Sequence, residues 1–248
     1  MEKIYVYDES FYGFLTAVFY VYFNHDDLED ICTDSDLQLA IGAETLTVGT
    51  EEDKAERVMA SLVKKIGKLG FYRIYKAFLS DSIGREKLIF DYIGIVLRSG
   101  RDAKYLYAEK TVTDVLKLSE KTGSEAHLLR GFLRFRETEA GIYYAEFSPK
   151  TDCISLIAPH FKNRLSGLNF AINDLKRKKA AIWDKEKLEI INYESYFKPE
   201  ETENEKAFCA MWKSFYKTVS IAERKNEKCR MTHVPKRFWR YMCEMEEN

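Results

Sequence analysis

Phe132-Leu133-Arg134-Phe135-Arg136, then Glu139-Ala140-Gly141, then Ile142-Tyr143-Tyr144-Ala145-Glu146-Phe147, is the stretch that sets the fold class. Apolar and basic residues alternate in the first run, and β-branched and aromatic residues fill the second. A glycine-bearing turn between two such runs predicts an antiparallel hairpin. Period two would put Arg134 and Arg136 on one face and Phe135 on the other. Strand signals continue on the C-terminal side. Phe170-Ala171-Ile172 and Ala180-Ala181-Ile182-Trp183 read as a strand pair joined through the turn at 174–179, and Leu188-Glu189-Ile190-Ile191 as a further strand. A helix from Ile154 to Leu165, with Pro159 in its first turns, precedes them. Glu200 to about Ile221, and again Pro235 to Met245, read as helical and rich in aromatics.

Toward the N-terminus the periodicity is helical instead. Ile4-Tyr5-Val6-Tyr7 is a short strand signal, and Asp8 or Ser10 can cap the helix that follows. In that helix Phe11, Phe14, Leu15, Val18, Phe19 and Tyr22 recur at three- and four-residue steps. An acidic connection is expected through Asp36, then a second strand at Leu46-Thr47-Val48. Thr50-Glu51-Glu52-Asp53 has the form of a capping box. Helical pattern runs from Glu51 to about Leu97, broken near Gly67–Gly70 and Gly84. Thr111 or Thr113 caps a further helix with Val115, Leu116, Leu118 and Leu128. The fold class is therefore α+β. Residues 1–125 form a mainly helical part with an acidic start, and residues 126–248 an α+β part with a mixed antiparallel sheet and a helical tail; the two can also pack as a single domain.

Charge is polarised along the chain. Residues 1–60 hold 3 Lys/Arg against 14 Asp/Glu, a balance of 3 − 14 = −11. Residues 217–241 hold 8 against 2, a balance of +6. Asp174-Leu175-Lys176-Arg177-Lys178-Lys179 carries four adjacent cations. Such asymmetry speaks of partners rather than of fold. The five cysteines (Cys32, Cys153, Cys209, Cys229, Cys243) are odd in number and widely spaced, which fits a reducing compartment better than a disulfide framework. Phe11–Phe23 follows acidic residues and is too short to cross a bilayer, which takes roughly 20 residues. A cytoplasmic location, with no membrane partner, is the expectation.

Several function classes drop out. The chain has no C-x3-C-x2-C triad for an iron–sulfur cluster, no G-x4-G-K-[ST] phosphate loop, no G-x-G-x-x-G fingerprint and no G-x-S-x-G elbow. No cofactor and no resident metal are expected, and no complete catalytic motif is present.

Four constellations remain. Arg224, Lys225, Lys228, Arg230, His233, Lys236, Arg237, Phe238, Trp239, Arg240 and Tyr241 interleave cations for phosphates with flat rings for bases. The same residues could equally form an amphipathic terminal helix whose cations are solvated. Arg134 and Arg136, opposite Tyr143 and Tyr144, could hold single strands on a sheet face, or Arg134 could simply pair with Glu146. His127, His160, Asp174 and His233 are acid–base or metal-site candidates only if the fold gathers them. Cys229 and His233 have C-x3-H spacing near Cys243, short of a four-ligand zinc set. Finally His25, Asp26, Asp27, Glu29, Asp30, Asp34 and Asp36 could bind Mg²⁺, though an acidic surface loop explains them as well.

Five segments resemble a bacterial family of DNA metabolism proteins. They are Tyr7-Asp8-Glu9-Ser10-Phe11-Tyr12-Gly13-Phe14-Leu15-Thr16-Ala17-Val18-Phe19; His127 to Arg136 with Gly131-Phe132-Leu133-Arg134-Phe135; Ala158-Pro159-His160-Phe161; Asp174 with Lys176-Arg177; and His233-Val234-Pro235-Lys236-Arg237-Phe238-Trp239. The resemblance implies an association with a radical SAM protein of DNA modification or repair. It also implies kinship with relatives joined to a uracil-DNA-glycosylase-type domain, of which this chain is expected to be the stand-alone form. The family's core segment carries no assigned reaction, so no catalytic residue transfers. The leading expectation is a nucleic-acid-binding accessory protein that grips DNA through Arg134, Arg136, Lys176, Arg177, Lys178, Lys179, Arg230, His233, Lys236, Arg237, Trp239 and Arg240. The alternatives are an enzyme acting on DNA bases through His127, His160 or Asp174, and a protein–protein scaffold.

Overall fold

A computed structural model describes residues 2–37, 43–99, 108–196, 198–224 and 226–245. The chain divides into two compact units, Met1–Gly123 and Ser124–Asn248.

The first unit starts with β1 (Lys3–Tyr7), α1 (Phe11–Asn24), β2 (Leu28–Thr33) and β3 (Glu44–Thr47). Its sheet has the order β2-β1-β3 with both pairings parallel, so β1 lies in the middle. A central parallel strand is covered on both faces, which is why Ile4-Tyr5-Val6-Tyr7 is apolar without alternation. Ser10, one of the two expected caps, is the N-cap of α1: its hydroxyl accepts the Gly13 N–H at 2.8 Å. Strand β2 occupies what the sequence reads as an acidic connection. Only Ile31, Cys32 and Thr33 of it are buried, and its Glu29 and Asp30 lower the strand signal. Thr50 is no cap. Its hydroxyl instead donates to Asp8 Oδ2 at 2.6 Å and meets Ser10, while Glu51 stands at the N-cap of α2 without a side-chain bond.

Helix α2 (Glu52–Phe78) is kinked at Gly67, whose φ of 71° explains the break seen in the pattern. Then follow α3 (Arg85–Ser99) and α4 (Lys110–Phe132), the latter running into the second unit. The Tyr7 hydroxyl donates to buried Glu86 at 2.9 Å, and Arg85 neutralises that carboxylate at 3.0 Å.

The second unit holds β4 (Arg136–Glu137), β5 (Tyr143–Phe147), α5 (Ile154–Arg164), β6 (Phe170–Asp174), β7 (Lys179–Trp183) and β8 (Leu188–Asn192) in one five-stranded sheet ordered β4-β5-β6-β7-β8. Strands β5 and β6 are parallel with α5 as their crossover; the other pairings are antiparallel. The sheet is mixed and the class is α+β. Helix α6 (Glu203–Val219), α7 (Glu227–His233) and α8 (Lys236–Trp239) form the tail.

The hairpin expected from 132–136 shrinks to the two residues of β4. Leu129 and Leu133 continue the buried stripe of α4, and the Leu133 N–H bonds the Leu129 carbonyl at 2.9 Å, so the helix claims Phe132. Phe135 turns inward against Phe161 and Phe170, with ring centroids 5.0 and 5.6 Å away. Among the described residues, no helix is long and apolar enough to cross a membrane.

Candidate nucleic-acid interface

Strands β5 and β6 run side by side, with Phe147 opposite Asp174, and so end at the same edge of the sheet. The six residues between β5 and α5, Ser148–Cys153, start from this edge. Buried Glu125 of α4 holds them. Its carboxylate accepts the N–H of Lys150 at 2.8 Å, the N–H of Thr151 at 3.2 Å and the Thr151 hydroxyl at 3.3 Å. From the tail, Arg237 of α8 pairs with the same carboxylate at 3.4 Å.

The cationic turn between β6 and β7 clasps the loop from another direction. Asp174 is fully buried and accepts the N–H groups of Lys176 and Arg177 at 3.0 and 3.3 Å, the side-chain turn that Asp favours. Burial raises its pKa, and the Arg177 guanidinium at 2.9 Å opposes that rise. Arg177 also donates to the carbonyls of Pro149 and Lys150 at 3.4 and 3.0 Å. Lys179 pairs with Asp152 at 2.6 Å, and Lys176 reaches the Lys150 carbonyl at 3.5 Å. Lys178 sits in the left-handed region, φ 52°, at the tip of the turn. Burial pushes the Cys153 thiol up to about 12, which keeps it protonated and unreactive.

In the tail, the Trp239 indole donates to the Val234 carbonyl at 2.8 Å. Arg230 lies 4.3 Å from its ring centroid and Lys236 5.7 Å. Arg230 also pairs with Glu227 at 2.6 Å, and Arg240 stands over the Tyr241 ring at 4.6 Å. Phe238 is buried and touches Phe132, so the tail is anchored as well as charged. Lys225 lies outside the described residues.

Two of the three basic clusters therefore meet on one loop; the arginines of the third are paired elsewhere. Arg134 pairs with Glu244 at 2.8 Å and Arg136 with Glu201 at 2.7 Å, so Glu146 is not the partner of Arg134. Glu146 instead accepts the Tyr196 hydroxyl. The acid–base candidates are likewise dispersed. His160 in α5 stands edge-on to Phe161, and burial followed by Arg130 and Arg164 lowers its pKa. Among the described residues no hydrogen bond joins it to Asp174. His127 is exposed on α4. His233 lies 2.9 Å from the Cys229 carbonyl and 3.6 Å from the Cys229 thiol, whereas Cys243 bonds Glu244 at 3.8 Å. Asp26, one of the N-terminal acids, is taken by Lys3 at 2.8 Å. Among the described residues, no three His, Cys, Asp or Glu are placed to hold a metal ion.

Glu125 and Lys150 are the residues that sequence reasoning passed over. Glu125 had a signal: Ser119, Thr122, Glu125, Ala126 and Leu129 share three- and four-residue spacing and are all buried, and a carboxylate on such a face requires partners. A family model for a domain of unknown function, DUF4130, matches residues 83–244. The chain belongs to this family. The DUF4130 segment takes in the loop at 148–153, the turn at 174–179 and the tail through α8, and it leaves out β1, α1, β2, β3 and α2. No curated protein matches the chain.

Proposed function

We propose that this protein is a nucleic-acid-binding accessory factor in DNA repair or modification, acting beside a radical SAM enzyme. One observation carries the binding reading: three elements bring exposed cations to a single loop. Lys150 lies on the loop, Lys176 and Lys178 on the turn that Arg177 ties to it, and Lys236 on the helix that Arg237 ties to Glu125, with Arg240 at that helix's C-cap. Arg177 and Arg237, expected to grip phosphate, are recast as internal struts that hold the cationic surface in shape. Asp174 has both carboxylate oxygens engaged, which favours binding over acid–base chemistry at this turn. The repair setting and the radical SAM partner rest on the family resemblance of the quoted motifs.

Fluorescence anisotropy with single- and double-stranded oligonucleotides tests the reading. If all five cations meet phosphates, duplex affinity should fall by roughly 10²- to 10³-fold between about 50 and about 200 mM salt. Lys178→Ala and Arg240→Ala should each lower the salt slope by about 1 without changing thermal stability. Undetectable binding at about 50 mM salt, or affinity indifferent to salt, would overturn the assignment. Co-purification with the radical SAM enzyme tests the partner separately.

A further inference from the structure

Among the described residues of the second unit, every half-buried arginine but one stands against a carboxylate: Arg134 against Glu244, Arg136 against Glu201, Arg177 against Asp174, Arg230 against Glu227 and Arg237 against Glu125. The exception is Arg130, near the end of α4. Its guanidinium reaches α5 instead, where Nη2 donates to the Leu156 carbonyl at 2.9 Å, and its Nε–H is buried and meets no acceptor among the described residues. A charged group held this way is costly to leave without a counter-charge.

Helix α5 decides what lies beside it. Leu156, His160 and Arg164 are spaced four apart, so they stack along one face, and Arg130 is fastened at the start of that stack. His160 is half-buried and Arg164 exposed, and Arg164 too has no carboxylate partner among the described residues. Lys162, the remaining cation of α5, lies 4.7 Å from the Trp183 ring centroid and takes no part. Neither α5 nor residues 126–132 of α4 contain an Asp or Glu. Glu125, just before them, is committed to Lys150, Thr151 and Arg237. Two guanidinium groups therefore flank one imidazole with no acid to balance them. Burial, and after it these two charges, lower the His160 pKa, which agrees with the placement.

We propose that Arg130, His160 and Arg164 form a binding site for a phosphate group. The chemistry selects the ligand. Guanidinium groups present paired N–H donors that match phosphate oxygens, and two of them balance the charge of a phosphomonoester dianion. The imidazole adds a third donor between them. A carboxylate would neutralise only one of the two arginines. The phosphate is either the terminal group of a nucleic-acid strand or that of a small phosphomonoester. The site shares no cation with the surface around the loop at 148–153, so this inference and the nucleic-acid reading can fail separately.

Proton NMR of His160 in the full chain, titrated with inorganic phosphate against sodium chloride of equal ionic strength, tests the site. Phosphate should move the His160 ring signals saturably, with a midpoint of roughly 1–10 mM. It should also raise the His160 pKa, because a bound anion offsets the two arginines. Arg164→Gln, a change at an exposed position, should weaken phosphate by roughly tenfold or more, whereas Lys178→Ala should leave it unchanged. A short single strand with a 5′-phosphate, set beside the same strand without it, identifies the source. Saturation at a lower concentration than inorganic phosphate assigns the site to strand ends; no gain over inorganic phosphate assigns it to small phosphomonoesters. A His160 signal that responds to phosphate no more than to chloride, up to about 50 mM, overturns the proposal. So does phosphate binding that survives Arg164→Gln intact or disappears in Lys178→Ala.

Discussion

Replacing Glu125 by glutamine should unlock the loop on which the basic clusters meet. Side-chain volume is kept, and only charge and one acceptor are lost. Two backbone N–H groups, one hydroxyl and one guanidinium converge on the native carboxylate, whose side chain is 4% exposed. Hydrogen bonds to a charged acceptor contribute about 1.5–3 kcal/mol against about 0.5–1.5 for neutral ones, so each of the two N–H groups loses about 1 kcal/mol. Arg237 is 30% exposed and solvent screens its pair, which limits that contribution to about 1 kcal/mol. The sum is about 3 kcal/mol. For a unit of this size, about 125 residues, each kcal/mol moves Tm by roughly 3–5 °C, so a fall of about 10 °C is expected. Urea unfolding and calorimetry of the full chain measure it. A double-mutant cycle of Glu125→Gln with Arg237→Met should give a coupling of about 1 kcal/mol. Stability within about 0.5 kcal/mol of the native chain would refute the idea that Glu125 is the loop's anchor.

Two further substitutions probe other parts of the structure. Gly13→Ala lies inside α1, where alanine ordinarily stabilises a helix by about 1 kcal/mol. Here its Cβ would lie 2.1 Å from Asp8 Oδ1, which Ser10 and Thr50 hold in place, so the sign should invert to a loss of about 1–3 kcal/mol, read by thermal unfolding. An equal or higher Tm would remove the Asp8–Ser10–Thr50 clamp from the account. His160 should titrate below 6.5 by proton NMR because burial, Arg130 and Arg164 disfavour its cation. The unfolded chain then binds the extra proton, so stability falls as pH drops through 6.5 and recovers above it, and His160→Gln should flatten that slope. A folded-state value at or above 6.5 would contradict the placement of the two arginines.

Local signals in the chain were sufficient for most elements, because helix and strand periodicity depend on near neighbours. Strand β1, helix α1 with its Ser10 cap, the break at Gly67, α5, and the β6–β7 turn with its four cations are legible in residues a few positions apart. Failures came where distant residues chose between local options. Strand β2 is acidic and exists because β1 offers a parallel edge; Phe132 joins α4 because the helix's buried stripe extends to Leu133; Thr50 gives up capping for Asp8, 42 residues away.

The same division runs through the candidate interface. Sequence alone determined that the positive charge is clustered, that it is interleaved with aromatics, and that no complete catalytic motif accompanies it. It could not tell an exposed arginine from an internal strut, because that depends on which carboxylate or carbonyl stands opposite, and Coulomb attraction has no regard for sequence distance. Tertiary structure made that choice. It set Glu244 against Arg134, Glu201 against Arg136 and Glu125 against Arg237, and it left Lys150, Lys178, Lys236 and Arg240 exposed at the surface.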